Sequence, residues 1–476
     1  MRQVGADVEQ VSRRAALAAA GAAGLALMGG ALAGCGPAKA AAKPVRAAAN
    51  PYVLRIRPGF IQEATPALMK QTFQPWLAQN PGVTIELMAS LGRQEATAVA
   101  ILAGEGPDVF SDWVLPVFLS GNLLLDLTRY VQQDNVDLGI YPRLQLEFFQ
   151  QGGGLWGLPS YLHLTAPAVN LEVLDTLGLT YPEPGWTWQD WGQLWRSAAA
   201  VNAIPSKARL GYHFSWDGYD YYGNNPHPHY LKGFGGEYVD PTDSSKCGLG
   251  QAGSVSCLEW IYGLNSEKVT APSGGSLAAG TLVCDNFATN VVVQQVPAWA
   301  SLKWELYDEP AWPQGRVAYA TSDFFAISAT SQRPDIAWEF FRYLAVEPDW
   351  QRQMMRLIGM GPNQKALWQE WVSVLQAEAP PIRGKDLDVF VRQVESDEPY
   401  FGLTFAYQDG LAAAAINAAT SPAQTGTSSV TVAAQQAVTT VDGIEAAGAA
   451  LAGRMTANAK AFPTQGPAVA AVPPGV

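Results

Sequence analysis

The chain has 476 residues, 48% hydrophobic and 15% charged, so it is long enough for two or three folded units and too apolar for a disordered chain. A formal net charge of −12 repels phosphate backbones and argues against a nucleic-acid partner. The amino terminus carries a twin arginine, Arg13-Arg14, then an apolar run of small residues ending in Leu32-Ala33-Gly34-Cys35. A basic stretch, an apolar core and a small-residue cleavage site make an export signal. The closing Cys gives it the form of a bacterial lipobox, in which the Cys35 thiol is acylated and the chain is cut just before it. Residues 15–34 are long enough to span a bilayer, but they are mostly Ala and Gly, so a cleaved lipoprotein signal is the better reading than a retained anchor. The arginines also resemble the signal of the twin-arginine export route, although Ala16 stands where that pattern prefers Phe.

Residues 35–50 read as a tether and 455–476, rich in Pro, as a disordered tail. Between them strands and helices alternate, which predicts an α/β fold. Strands are expected at 53–56, 83–87, 107–110 and 168–170, with a short hairpin at 155–159. Helices are expected at 64–79, 93–103, 171–177, from Thr187 onward, 254–265, 334–346, 347–358, 364–378, 386–396, 406–419 and 428–452. Trp186, Trp188, Trp191 and Trp195 fall at helical spacing and read as cap and core. With Cys35 assigned to lipid, Cys247 and Cys257 are the nearest pair and the candidates for a disulfide, and Cys284 is left over.

Several local patterns resemble the extracellular solute-binding proteins of ABC importers, the sugar-binding family that includes maltose-binding protein. They are Phe73 with Asn80-Pro81-Gly82-Val83, Gly106-Pro107-Asp108-Val109-Phe110, Ser120–Leu127, Gly154–Pro159, Val169–Leu174, Pro184–Trp188 and Phe325–Ser328 with Ala337–Leu344. Their order covers nearly the whole chain after the signal. The resemblance implies two α/β lobes joined by hinge crossovers, with solute captured between them. It implies a first lobe from 51–162 and 313–360, and a second from 163–312 and 361–454.

A sugar cleft needs aromatic faces for stacking and carboxylates or amides for hydroxyl groups. On the family pattern the candidates are Gln62 and Glu63 after the first strand, Asp112 and Trp113 after the third, and Tyr161 and His163 at the first hinge. Trp216 and Tyr219 in an aromatic loop, Trp299 in the second lobe, and Ser322, Asp323 and Phe324 at a second crossover complete the set. Tyr400 and Phe401 are weaker candidates. No nucleophile elbow or zincin motif is present, so no catalysis, cofactor or metal is expected. The expected partners are a neutral mono- or oligosaccharide, the permease subunits of an importer, and the membrane through the lipid anchor. The protein is expected to be monomeric and extracytoplasmic. The alternatives are a polyamine or glycerol phosphate in the same cleft, a sensor role, or a secreted glycoside-acting enzyme.

Overall fold

The computed structural model describes residues 51–461 apart from 59–65, 89–93, 113–114, 152, 203–227, 270–276, 290–295, 322, 397–398, 403–404 and 406–408. Cys35, Gln62, Glu63, Trp113, Trp216, Tyr219 and Ser322 therefore lie outside the described residues.

The first sheet is built by β1 (Tyr52–Arg57), β2 (Val83–Leu87), β3 (Val109–Asp112), β4 (Leu158–Pro159) and, from far along the chain, β9 (Phe324–Ile327). Its order is β2-β1-β3-β9-β4, parallel at β2-β1-β3 and antiparallel where β9 inserts. Parallel pairing requires a covering crossover, here α1 (Pro66–Gln79) and α2 (Gln94–Leu102). The end of α1 is fixed by Asn80, whose Nδ2 donates to the Trp76 carbonyl at 2.8 Å, and by Gly82, which takes φ 97°. The hydrophobic side of this sheet buries Phe73, Phe110, Phe118, Phe149, Phe324 and Phe340 in one core.

The second sheet holds β5 (His163–Asn170), β6 (Cys284–Ala288), β7 (Trp304–Leu306), β8 (Ala318–Thr321) and β10 (Pro399–Phe401). β6 pairs along one edge of β5, β7 and β8 pair in succession along the other, and β10 runs parallel to β8. Two further cores pack on this sheet, one around Trp191, Trp195, Tyr262 and Trp312 and one around Phe287, Trp304, Trp368 and Phe390.

Two expectations change. Leu155–Pro159 is not a hairpin: Leu155 pairs with Gln150, whereas Leu158 and Pro159 pair with β9. Residues 318–321, assigned by sequence to the returning segment of the first lobe, belong to the second sheet, so the chain returns between Thr321 and Phe324. The helices after β9 are α10 (Pro334–Ala345) and α11 (Pro348–Ile358), which close the first lobe. The helices after Gly359 pack on the second.

Helix starts follow local chemistry. Thr187 and Asp190 form a reciprocal cap on α7 (Trp188–Asn202), the Thr187 amide donating to Asp190 Oδ2 at 2.8 Å and the Asp190 amide to Thr187 Oγ1 at 3.3 Å. Asn170 caps α6 (Leu171–Leu177) by accepting from the Val173 amide at 3.0 Å. No described helix is long and apolar enough to cross a membrane.

Candidate functional site

Three crossings join the two lobes: residues 159–163 and 321–324 link the sheets, and 359–364 link α11 to the helices that pack on the second sheet. β1 and β3 run toward these crossings with their carboxyl ends, and so do β8 and β10, because Phe324 pairs with Asp112 and Thr321 with His163. In open α/β sheets ligands bind outside the carboxyl ends of the strands. The topology therefore points both sets of strand ends at one cleft.

On the first sheet the cleft end carries Arg57 and Asp112. Both are buried, and Arg57 Nη1 donates to Asp112 Oδ2 at 2.9 Å. Asp323 is buried beside them at the second crossing, and its carbonyl accepts both the amide and the hydroxyl of Ser160 at 2.9 Å. At the first crossing Tyr161 is buried with its ring 4.1 Å from that of His163. Desolvation presses the His163 pKa down to about 3, so this imidazole is neutral at physiological pH.

On the second sheet the cleft end carries a cluster that sequence reasoning missed. The hydroxyl of Tyr400 donates a hydrogen bond to Glu237 Oε2. Lys232 Nζ donates to Glu237 Oε1 at 2.7 Å and lies 5.0 Å from the centroid of the Tyr400 ring. Lys232 comes from α8 (Pro228–Gly233), Tyr400 from β10, and Glu237 from the turn after Gly235-Gly236. Gly236 has to be glycine, since a Cβ there would sit 2.2 Å from the Ser254 nitrogen. His229, on the same helix, is fully buried 3.9 Å from Glu309 and stacks on Tyr230 and Tyr319. The only sequence signal for this cluster was the weaker candidacy of Tyr400.

Two candidates belong to cores. Trp299 is buried with its ring 5.0 Å from Trp304 and 5.7 Å from Phe287. Phe324 is fully buried against Phe110, Phe118 and Phe149. The expected disulfide is absent as well: Cys247, Cys257 and Cys284 are free, buried thiols. Burial raises all three, Cys247 to about 12. Of the tryptophans on and before α7, Trp191 and Trp195 are core while Trp186 and Trp188 are half-buried.

A cavity of about 240 Å³ lies apart from the cleft, on the flank of the second sheet between Trp186, Tyr307, Arg316 and Arg392. Arg316 precedes the amino end of β8, opposite the crossings, so this cavity is not the cleft. Its arginines face two carboxylates: Asp308 lies 3.7 Å from Arg316 and 2.9 Å from Arg392, and Asp386 lies 2.9 Å from Arg392.

Residues 61–349 match the family of bacterial extracellular solute-binding proteins. The chain belongs to this family. The fold agrees. An ABC substrate-binding protein of Listeria monocytogenes, solved with cycloalternan, shares 15% identity with a TM-score of 0.63, covering 83% of this chain and 99% of that one. A cyclic α-maltosyl-1,6-maltose binding protein of Arthrobacter globiformis shares 16% identity with a TM-score of 0.65, over 85% of this chain and 99% of the other. The sugar-binding protein MalE of Xanthomonas citri shares 17% identity with a TM-score of 0.66, over 83% and 98%. Identities this low speak for the fold alone. The two-lobed fold is thus shared along nearly the full length of each of these proteins.

Proposed function

We propose that this solute-binding protein is a lipid-anchored receptor that captures a neutral carbohydrate between its lobes and delivers it to an ABC permease. The observation that carries the reading is charge pairing at the cleft. Each described cation there has its own carboxylate: Arg57 has Asp112, and Lys232 has Glu237. A phosphate or other anion would need guanidinium or ammonium groups left over. The Lys232–Glu237 pair, with its lysine partly exposed, offers hydrogen-bonding atoms beside the Tyr400 ring, which suits hydroxyl groups and a pyranose face. The three similar proteins bind sugars or were solved with one, which supports the same class. Family membership favours capture over catalysis. The lipobox at Cys35 supports anchoring outside the cytoplasmic membrane, in keeping with the extracellular character of the family.

A thermal-shift comparison on the full chain in detergent, with maltotetraose, spermidine and glycerol 3-phosphate, tests this. A ligand bound only by the folded state at 100 times its Kd adds about 2.7 kcal/mol. A shift with maltotetraose and none with the other two is expected. A shift with spermidine or glycerol 3-phosphate and none with the sugar overturns the neutral-carbohydrate reading.

A further inference from the structure

The cavity on the flank of the second sheet is lined by three aromatic rings set at right angles in succession. The Trp186 ring lies 6.1 Å from that of Trp191 at an interplanar angle of 81°, and the Trp191 ring lies 6.3 Å from that of Tyr307 at 77°. Successive right angles give the walls of a box rather than a stack. Trp191 is buried and belongs to the core, while Trp186 and Tyr307 are half-buried.

The backbone fixes both outer rings. The Trp186 amide donates to the Glu183 carbonyl at 3.2 Å, which closes a turn centred on Pro184-Gly185. Gly185 takes φ 88°, as a type II turn requires of its third residue. The Trp186 carbonyl accepts the Ala311 amide at 3.0 Å, and the Ala311 carbonyl accepts the Trp188 amide at 3.2 Å. The Tyr307 amide donates to the Pro167 carbonyl of β5 at 2.9 Å.

Charge around the rings does not balance. Asp308 and Asp386 answer Arg316 and Arg392. Glu183 and Glu305 line the same cavity and form no salt bridge among the described residues. One oxygen of Glu305 accepts the Leu306 and Asp386 amides, each at 2.9 Å, which holds the carboxylate in place without neutralising it. Burial, and after it the Glu305 carboxylate, push the Tyr307 phenol up to about 12, so this ring stays uncharged. Aromatic faces beside surplus carboxylates attract a cation that carries apolar substituents. Among the described residues no three acidic, thiol or imidazole side chains converge as a metal ion requires, which favours an organic cation.

We propose that this flank cavity is a second binding site, separate from the solute cleft, for a small organic cation of the quaternary-ammonium kind. Trp186 and Tyr307 supply the ring faces, and Glu183 and Glu305 the counter-charge. The site does not rest on the carbohydrate reading of the cleft.

Choline is the probe, and dimethylbutanol, its uncharged carbon isostere, the control. Calorimetric titration of the full chain in detergent should fill one site by about 10 mM choline, with the alcohol binding about tenfold more weakly or worse. Trp186→Ala should weaken choline about tenfold or more. Glu183→Gln changes an exposed side chain, so folding is not at stake, and should weaken choline about threefold. Tyr307→Phe keeps the ring and should keep the affinity. Trp186→Ala and Glu183→Gln should leave maltotetraose binding unchanged, and Tyr400→Phe should leave choline binding unchanged. Absence of choline binding overturns the proposal, and so does equal affinity for the alcohol, which marks an apolar hollow. Unchanged choline affinity in both Trp186→Ala and Glu183→Gln also overturns it, by placing the cation elsewhere. A protein that takes choline and ignores maltotetraose keeps this site and loses the sugar reading. A spermidine shift abolished by Trp186→Ala supports this site and leaves the cleft reading standing.

Discussion

The buried pair Arg57–Asp112 offers the sharpest separation of scaffold from binding site. Both side chains are essentially withdrawn from water and their charges meet at 2.9 Å. Asp112→Leu removes the carboxylate and strands the guanidinium in the sheet interior. Breaking one partner of a buried pair costs about 3–5 kcal/mol, because the remaining charge keeps its desolvation penalty. With a urea m-value of about 3 kcal/mol/M, the upper end for small proteins, that is a fall of about 1–1.7 M in the midpoint of the first lobe. Replacing both residues, Arg57→Met with Asp112→Leu, removes both penalties, and such apolar exchanges are often neutral or stabilising. The double variant should therefore recover most of the midpoint. Urea unfolding followed by tryptophan emission measures all three proteins, and maltotetraose titration of the double variant then reads the pair's role in binding. A single variant within about 0.5 kcal/mol of the unaltered protein would refute the argument, and so would a double variant as unstable as the single one.

Three further outcomes follow from the same chemistry. His163 is held neutral in the fold with its pKa near 3, against about 6.5 in the unfolded chain, so the unfolded state takes up the extra proton and stability falls as pH drops from about 6.5 toward 3. Relative to His163→Asn, the unaltered protein should lose about 2 kcal/mol between pH 7.5 and pH 5; parallel pH profiles in urea would contradict this. Cys247, Cys257 and Cys284 should ignore a thiol reagent such as Ellman's in the native protein and react as three thiols in guanidinium without reductant, whereas a single reactive thiol would reveal a disulfide. Tyr400→Phe removes the donor to Glu237 and should weaken maltotetraose binding about tenfold or more with the Tm little changed; unchanged affinity would move the site away from this cluster.

Sheet, helix and turn were largely legible because each is dictated locally. The Asn80-Pro81-Gly82 stop, the Asn170 cap and the Thr187–Asp190 box combine a short polar side chain or a glycine with a backbone group a few residues away. Tertiary partners were less legible. Leu158 and Pro159 read as half of a hairpin because a nearby apolar segment is the default partner, yet their partner, β9, lies more than 160 residues on. Trp299 and Phe324 read as ligand contacts because an aromatic next to a strand suits either a core or a cleft, and only the packing of Phe287 and Trp304, or of Phe110 and Phe149, decides between them.

The polar cluster was the least legible, for a related reason. Lys232, Glu237 and Tyr400 come from two stretches about 160 residues apart, and nothing in either stretch alone marks a site. What unites them is the parallel pairing of β8 with β10, which brings Tyr400 beside Tyr319 and beneath α8. The same geometry adds to the proposed cleft charges that the sequence reading did not place there. The candidate positions read as acidic and aromatic, yet the folded cleft also contains Arg57 and Lys232, each matched by a carboxylate. A cleft of matched pairs differs physically from one without cations, because a ligand hydroxyl can bond to a carboxylate already held in place without leaving any charge uncompensated. On the proposed reading, selectivity for a neutral solute rests on the pairing, so removing Lys232 alone should raise the relative affinity for spermidine, and removing Glu237 alone that for glycerol 3-phosphate.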